Sequence, residues 1–155
     1  MSGVLSHSPA DVVAALIVSL GGGTDPLEDA AEQARSSWPV KVSRTPDRPD
    51  QVLVVTDTAG RDLARPHPVG RRAQLYGVQI KVRACTHAAG WAKASSLAEL
   101  LSLGANVYDA QVALGEAAYV VHSVQFTGPA LALGAESGTE RRLFTLNALV
   151  GIRQL

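Results

Sequence analysis

The first pattern along the chain is a run of apolar residues with helical spacing. Ser8 is placed to cap the predicted helix, because Pro9 fits its first position and Asp11 its third, where an anion is favourable. The glycines at 21–23 predict its end. The apolar residues that share one face of this helix are Val12, Val13, Leu16, Ile17 and Leu20.

A second helix start follows, and two strand patterns come after it. Asp25–Glu28 repeat the capping pattern and predict a short acidic helix that ends near Arg35. Val40–Arg44 and Gln51–Asp57 are rich in β-branched residues, and the second segment is apolar enough for an interior strand. Because the residues between them read TPDRPD, we expect a turn that joins the two strands in a wide hairpin.

Residues 59–72 fit neither the helix nor the strand pattern. They include two prolines, two glycines and four arginines, which predicts a long loop. Loops of this length in compact domains usually bind something or are disordered. The candidate subunit or partner contacts are therefore the four arginines of this segment: Arg61, Arg65, Arg71 and Arg72.

Three interpretations of these arginines stay open. They belong to a solvated loop, they contact acidic groups of a neighbouring subunit, or they contact DNA phosphates. The acidic segment 25–35 supplies carboxylates that could meet them within a homo-oligomer.

The middle of the chain combines a strand and a helix. Apolar and polar residues alternate over 76–84, which predicts a strand with one buried face. Thr86 is placed to cap the next helix and Gly104 to end it. The apolar stripe of this helix predicts that Trp91 and Leu101 pack against the sheet.

Two further strands complete the predicted fold. They are Tyr119–Thr127 and Arg142–Arg153, and a Gly/Ala-rich loop at 128–139 separates them. The order of elements predicts an α/β (α+β) fold with a mostly antiparallel sheet and helices packed on one face. A length of 155 residues suits a single domain over 1–155.

Composition argues against several functional classes. Lys+Arg and Asp+Glu both number 14, and this balance disfavours a general nucleic-acid binder. The single cysteine, Cys85, leaves no intrachain disulfide to form. No apolar run approaches the roughly 18 residues of a membrane span, so no membrane partner is expected. The first residues also lack the basic and apolar regions of a signal peptide.

One string resembles a catalytic motif. Residues 54–60, VVTDTAG, are similar to the strand-end Asp-Thr-Gly of aspartic proteases, in which two copies bring their carboxylates together. Ala59 stands where that motif needs glycine, and a structural role for Asp57 as the cap of a turn is simpler. A small homodimeric hydrolase that uses Asp57 is the alternative from a different functional class.

Other patterns do not indicate a site for a cofactor or metal. The four histidines and Cys85 lack metal-ligand spacing. The glycines at 21–23 follow a helix and precede no Gly-Lys-Ser/Thr, so a phosphate loop is disfavoured. We therefore expect no cofactor, no metal and no catalytic residue.

Several short strings occur in a fixed order after the N-terminal helix. They are Trp38-Pro39-Val40, Asp47-Arg48-Pro49-Asp50, the Val-rich segment 52–60, Pro66-His67-Pro68, the strand 78–84, Gly90–Ala94 and Arg141–Thr145. In this order the chain resembles the tail terminator (tail-completion, or minor tail) proteins of long-tailed bacteriophages. The resemblance covers most of the chain. It departs from the family pattern in the acidic segment 25–35 and in the Ala/Gly-rich stretch 103–118.

This resemblance implies a structural protein of the virion and not an enzyme. Such a protein forms a homohexameric ring that caps the tail tube, ends its polymerisation and joins it to the head–tail connector or neck protein. Genome DNA would pass through the lumen of the ring. The expected location is the tail or neck of the virion, after assembly in the host cytoplasm. The alternative within this class is another neck component, such as a head-closure or tail-joining subunit.

Overall fold

A computed structural model describes residues 5–24, 38–63 and 73–155 of the chain. These residues form three helices and seven strands. In chain order they are α1 (Pro9–Ser19), β1 (Val40–Val42), β2 (Val52–Leu63), β3 (Ala73–Ala84), α2 (His87–Ser102), α3 (Gly104–Val107), β4 (Ala110–Leu114), β5 (Ala117–Phe126), β6 (Leu131–Ala135) and β7 (Arg142–Gln154).

The first helix has the caps that its sequence predicts. The Ser8 Oγ accepts a hydrogen bond from the Asp11 N–H at 3.2 Å, and the Asp11 carboxylate accepts one from the Ser8 N–H at 3.3 Å. This reciprocal pair satisfies two backbone donors at the start of α1. Gly21 follows the last turn with φ +75°, a conformation that glycine adopts without a steric penalty.

The strands form one curled sheet that is mostly antiparallel. Its order is β1-β2-β3-β7-β5-β4, and β6 also pairs with β7. The strands β5 and β6 follow one another along the same side of β7. Every pairing is antiparallel except that of β1 with β2. The predicted fold class is therefore confirmed.

Two helices pack against the sheet and share one buried cluster with it. Leu16 and Ile17 of α1 and Leu97 and Leu101 of α2 join this cluster. Alternate residues of the strands complete it: Leu53, Val55, Val78, Ile80, Val82, Phe144, Leu146, Ala148 and Val150. The predicted apolar faces of β3 and β7 are thus the faces that the helices cover.

Helix α2 approaches the sheet closely at Gly90, where any side chain would meet the ring of Phe144. Thr86 caps the helix, since its Oγ1 accepts a hydrogen bond from the Ala89 N–H at 3.2 Å. Leu101 is fully buried as predicted. Trp91 is only partly buried. It contacts Phe144 at the edge of the interface and is 47% exposed.

The predicted hairpin between the first two strands is wrong. Val40 pairs with Leu53 and Val42 with Val55, and this pairing is parallel. The reason is the length of β1, which has three residues. The chain needs to return only about 10 Å to start β2 beside it, at about 3.3 Å per residue. Ser43, with φ +61°, turns the chain at the end of β1.

Three predicted boundaries are also wrong. The predicted loop at 59–72 begins too early, because β2 continues to Leu63. The predicted loop at 128–139 contains β6, whose Leu131 pairs with Thr145 of β7. Gly104 does not end α2, which stops at Ser102, but begins the short α3. The predicted acidic helix at 25–35 and the C-terminal part of the Arg-rich segment, 64–72, lie outside the described residues.

Candidate interaction surfaces

A network of charged side chains joins three segments on the sheet face opposite the helices. Arg83 follows Val82 in β3, and successive side chains of a strand point to opposite faces. Since Val82 is buried beneath the helices, Arg83 points away from them. Its side chain is covered by the segment 44–51 and by the turn 136–141, and the residue is only 1% exposed. Both covering segments lie far from Arg83 in the sequence, so this contact is part of the tertiary fold.

The Arg83 guanidinium donates hydrogen bonds to three backbone carbonyls of the segment 44–51. The acceptors are Pro49 at 2.7 Å, Asp47 at 3.2 Å and Asp50 at 3.3 Å. Its Nη1 also lies 3.7 Å from the Glu136 carboxylate. Burial lowers the pKa of Arg83, and the nearby charge of Arg141 lowers it further, against the raising effect of the carboxylates.

Arg141 completes the network from the other side. Its guanidinium lies 2.8 Å from the Asp50 carboxylate, 3.4 Å from Glu136 and 3.5 Å from Asp47. Desolvation acts to lower the pKa of Arg141, but its hydrogen bonds to Glu136 and Asp50 outweigh this effect and the pKa is raised. The network therefore fixes the turn between β6 and β7 to the segment before β2.

The sequence did not reveal this network. Arg83 occupies the polar face of an alternating strand, a pattern that predicts exposure to solvent. The carboxylates that surround it lie in segments that were predicted as loops. The available signal was an excess of acidic residues in those two loops, at Asp47, Asp50 and Glu136.

Asp57, the candidate catalytic residue of the alternative, has a structural partner. Its Oδ1 accepts a hydrogen bond from the Ala10 N–H at 2.9 Å. Ala10 lies in the first turn of α1, where backbone donors lack partners within the helix and an anion is favourable. The prediction that Asp57 caps a turn is therefore corrected: it ties the start of α1 to the sheet.

The strands β2 and β3 form a long hairpin that carries Arg61. A register shift lies between Thr58 and Arg61. At this shift Gly60 and Gly77 pass so close to the opposite strand that a Cβ on either would meet backbone atoms. Arg61 is exposed beyond the shift and pairs with Leu75. The other candidate contacts, Arg65, Arg71 and Arg72, lie outside the described residues.

A second exposed surface is β6, which the sequence interpretation missed. All five residues of this strand, LALGA, are exposed. Leu131 and Leu133 are 53% and 54% exposed, which is unusual for two leucines on one short strand. The signal in the sequence was the alternation of Leu with small residues, which the abundance of Ala and Gly obscured.

The remaining polar groups do not assemble into a metal centre in the described part of the chain. Cys85 is exposed, and the ring of His87 packs 5.2 Å from that of Phe144. Lys93 lies over the ring of Trp38 with 5.5 Å between Nζ and the ring centre, and burial lowers its pKa. None of the helices within the described ranges has the length and apolar character needed to cross a membrane.

Comparison with known proteins gives a likeness in fold but no match in sequence. No family model matches the chain, and no curated protein matches its sequence. The fold is similar to that of a chain from the structure titled "Virion of native gene transfer agent (GTA) particle", with a TM-score of 0.51 and 14% sequence identity. The match covers 96% of this chain and 99% of that chain. The two chains thus share a fold over nearly their whole lengths.

Proposed function

We propose that this protein is a structural component of a phage-like virion and acts there as a tail terminator. The observation that carries the proposal is the likeness in fold to a chain of a gene transfer agent virion over 96% of this chain. The order of short sequence strings, which resembles tail terminators, supports the finer assignment. Residues 1–155 would act as one tail-terminator-like domain.

In this proposal six copies form a ring that caps the finished tail tube. One face of the ring matches the tube, and the other face presents a different surface to the head–tail connector. A subunit of the tube can no longer add once the ring is bound, so polymerisation ends. Genome DNA passes through the lumen, and assembly takes place in the host cytoplasm. No catalytic role is part of the proposal, since Asp57 is engaged by the first turn of α1.

We place the partner contacts of the proposed ring at the end of the β2–β3 hairpin. Arg61 is exposed there, and the residues that join the two strands add Arg65, Arg71 and Arg72 without any acidic residue. Guanidinium groups suit carboxylates of a neighbouring subunit or of the tube protein. Replacing Arg65, Arg71 and Arg72 with Ser should leave the melting temperature unchanged but weaken ring or tube association, most strongly at low salt.

Electron microscopy of tube assembly tests the proposed function. Tail tube protein from the same virus should polymerise into tubes of indefinite length when it is alone. Addition of this protein should give shorter tubes with a ring at one end. Tubes of unchanged length without an end ring would contradict the tail-terminator role. Binding to purified heads and not to tubes would favour a head-closure subunit.

A further inference from the structure

The outer edge of β6 has the properties of an interface. The strand pairs with β7 on one side. On its other side the described residues supply no strand, so backbone N–H and C=O groups are open there. Proteins usually protect such edges with charged residues or proline, and β6 has neither. The exposed Leu131 and Leu133 add apolar surface to the same strand.

This edge is held in place before any partner binds. The turn after β6 contains Glu136, which is joined to Arg141, and Arg141 is joined in turn to Asp50. An edge that is already ordered loses less conformational entropy when a partner strand adds to it. The charged network described above therefore prepares β6 for pairing.

The opposite side of the sheet has a second open stretch. The strand β1 covers β2 only as far as Val55. From Thr56 to Leu63 the outer edge of β2 has no partner strand among the described residues. Asp57 to Arg61 are exposed along this stretch. Each copy of the chain thus presents an open stretch of strand on each side of its sheet, and on the β6 side the outer edge of β4 also has no partner strand among the described residues.

The register shows which parts of the two edges can meet. Leu131 pairs with Thr145, Thr145 with Lys81, and Lys81 with Val54. The strand β1 already occupies β2 at Val54, so an incoming strand must pair beyond Val55. Pairing between the two edges therefore offsets one copy from the next along the strand direction. Closure of a sheet requires a stagger in strand register of this kind.

Strand direction favours the same joint. The strand β2 runs antiparallel to β3, β3 to β7, and β7 to β6. If a second copy continues the sheet in the same orientation, its β2 runs antiparallel to β6 of the first copy. Antiparallel pairing is the arrangement that dominates the rest of this sheet.

We propose that β6 of one copy pairs antiparallel with the stretch Thr56–Leu63 on β2 of a second copy. The inference rests on the proposed function, because it identifies the contact that would build the ring. A joint between two different edges is heterologous and gives a ring when the rotation between copies closes, whereas pairing of β6 with another β6 would stop at a dimer. The neutral β6 also brings no charge that would repel Asp57 or Arg61.

Engineered disulfides test this joint directly. In a Cys85→Ser background, which removes the only native cysteine, Ala59→Cys and Ala132→Cys are combined in one chain. The two positions lie on opposite edges of the sheet, so they cannot form a disulfide within one copy. Oxidation at a concentration where the wild type forms rings should give covalent oligomers larger than dimers on a non-reducing gel.

Two controls test whether the cross-linking is specific to β6 and β2. The pair Ala59→Cys and Leu103→Cys places the second thiol at a residue with 51% exposure that is not on a sheet edge, and it should give only trace products. Chains with Ala132→Cys alone should also fail to cross-link. Abundant dimers from Ala132→Cys alone would show β6 pairing with itself and overturn the proposal, as would a level of cross-linking equal to that of the Leu103→Cys control.

A second measurement separates failure of the joint from failure of the proposed function. Leu131→Lys with Leu133→Lys should keep the wild-type melting temperature but abolish ring formation in light scattering, whereas Leu103→Lys should keep the rings. If the wild type forms rings that cap tubes and the β6 variants do so equally well, the joint is wrong and the proposed function stands. If the wild type forms no ring at any concentration, both are wrong.

Discussion

At the residue scale, single charged side chains connect segments that are distant in the sequence. Arg83 is buried on the face opposite the helices and binds the carbonyls of the segment 44–51. Asp57 joins β2 to the start of α1. A buried charge such as Arg83 is stable only when its partners surround it, so Arg83 makes the placement of its partner segments more specific.

Replacing Arg83 with Met should lower the free energy of unfolding by about 2–4 kcal/mol, because the carbonyls of residues 47–50 lose their donor and Glu136 loses a counter-charge. Chemical denaturation checks this. The control Arg142→Met, at an exposed neighbour of Arg141, should change stability by less than about 0.5 kcal/mol. Equal stability of the two variants would mean that the network contributes nothing.

The role of Asp57 can be separated from catalysis. Asp57→Ala should cost about 1 kcal/mol of stability, since the Ala10 N–H at the helix start loses its acceptor. Asp57→Asn keeps an oxygen acceptor and should cost less. Both variants and the wild type should show only background peptide hydrolysis. Acid-dependent cleavage by the wild type that disappears in Asp57→Asn would contradict the structural role.

At the scale of elements, the sequence predicted those whose apolar pattern is strong. Helix α1 has the expected cap and stripe, and β3, α2 and β7 bury the expected faces. Local pattern could not predict that β1 pairs parallel to β2, because strand direction depends on the path of the chain between them. It also missed β6, whose small residues carry little strand signal, although β6 is the strand proposed to pair with a second copy.

Helix α2 gives a direct test of the buried face. Leu101→Asp should lower the free energy of unfolding by at least about 3 kcal/mol, because it removes an apolar side chain from the core and buries a charge. Leu103→Asp, two residues further along the chain and half exposed, should have a small effect. Thermal unfolding followed by circular dichroism measures both. A Leu101→Asp variant that melts like the wild type would remove α2 from the core.

The β2–β3 hairpin depends on two glycines that face each other across its register shift. Gly77→Ala should cost about 1–3 kcal/mol, because the new methyl group would meet the backbone of Ala59. Gly128→Ala is the matched control. Its Cβ would have open space, so stability should change by less than about 1 kcal/mol. Equal unfolding free energies for both variants would argue against the close approach at Gly77.

At the scale of the whole molecule, the sheet connects the fold to the proposed assembly. One face of the sheet is covered by helices, and part of the other face is covered by the charged network. The two sides of the sheet keep open edges, β2 beyond Val55 and the outer side of β6, within the described residues. A protein with a covered core and open sheet edges is suited to repeated contact with its own copies.

The proposed function rests on two independent observations, the fixed order of short sequence strings and the fold shared with a gene transfer agent virion chain. Under the proposed function, this protein occupies the head-proximal end of a viral tail. Immunogold electron microscopy with antibodies raised against the purified protein, applied to separated heads and tails, tests this position. We expect gold at the head-proximal end of free tails and no gold on tailless heads. Gold along the tube, at the distal tip or on the heads would contradict a position at the head-proximal end of the tail.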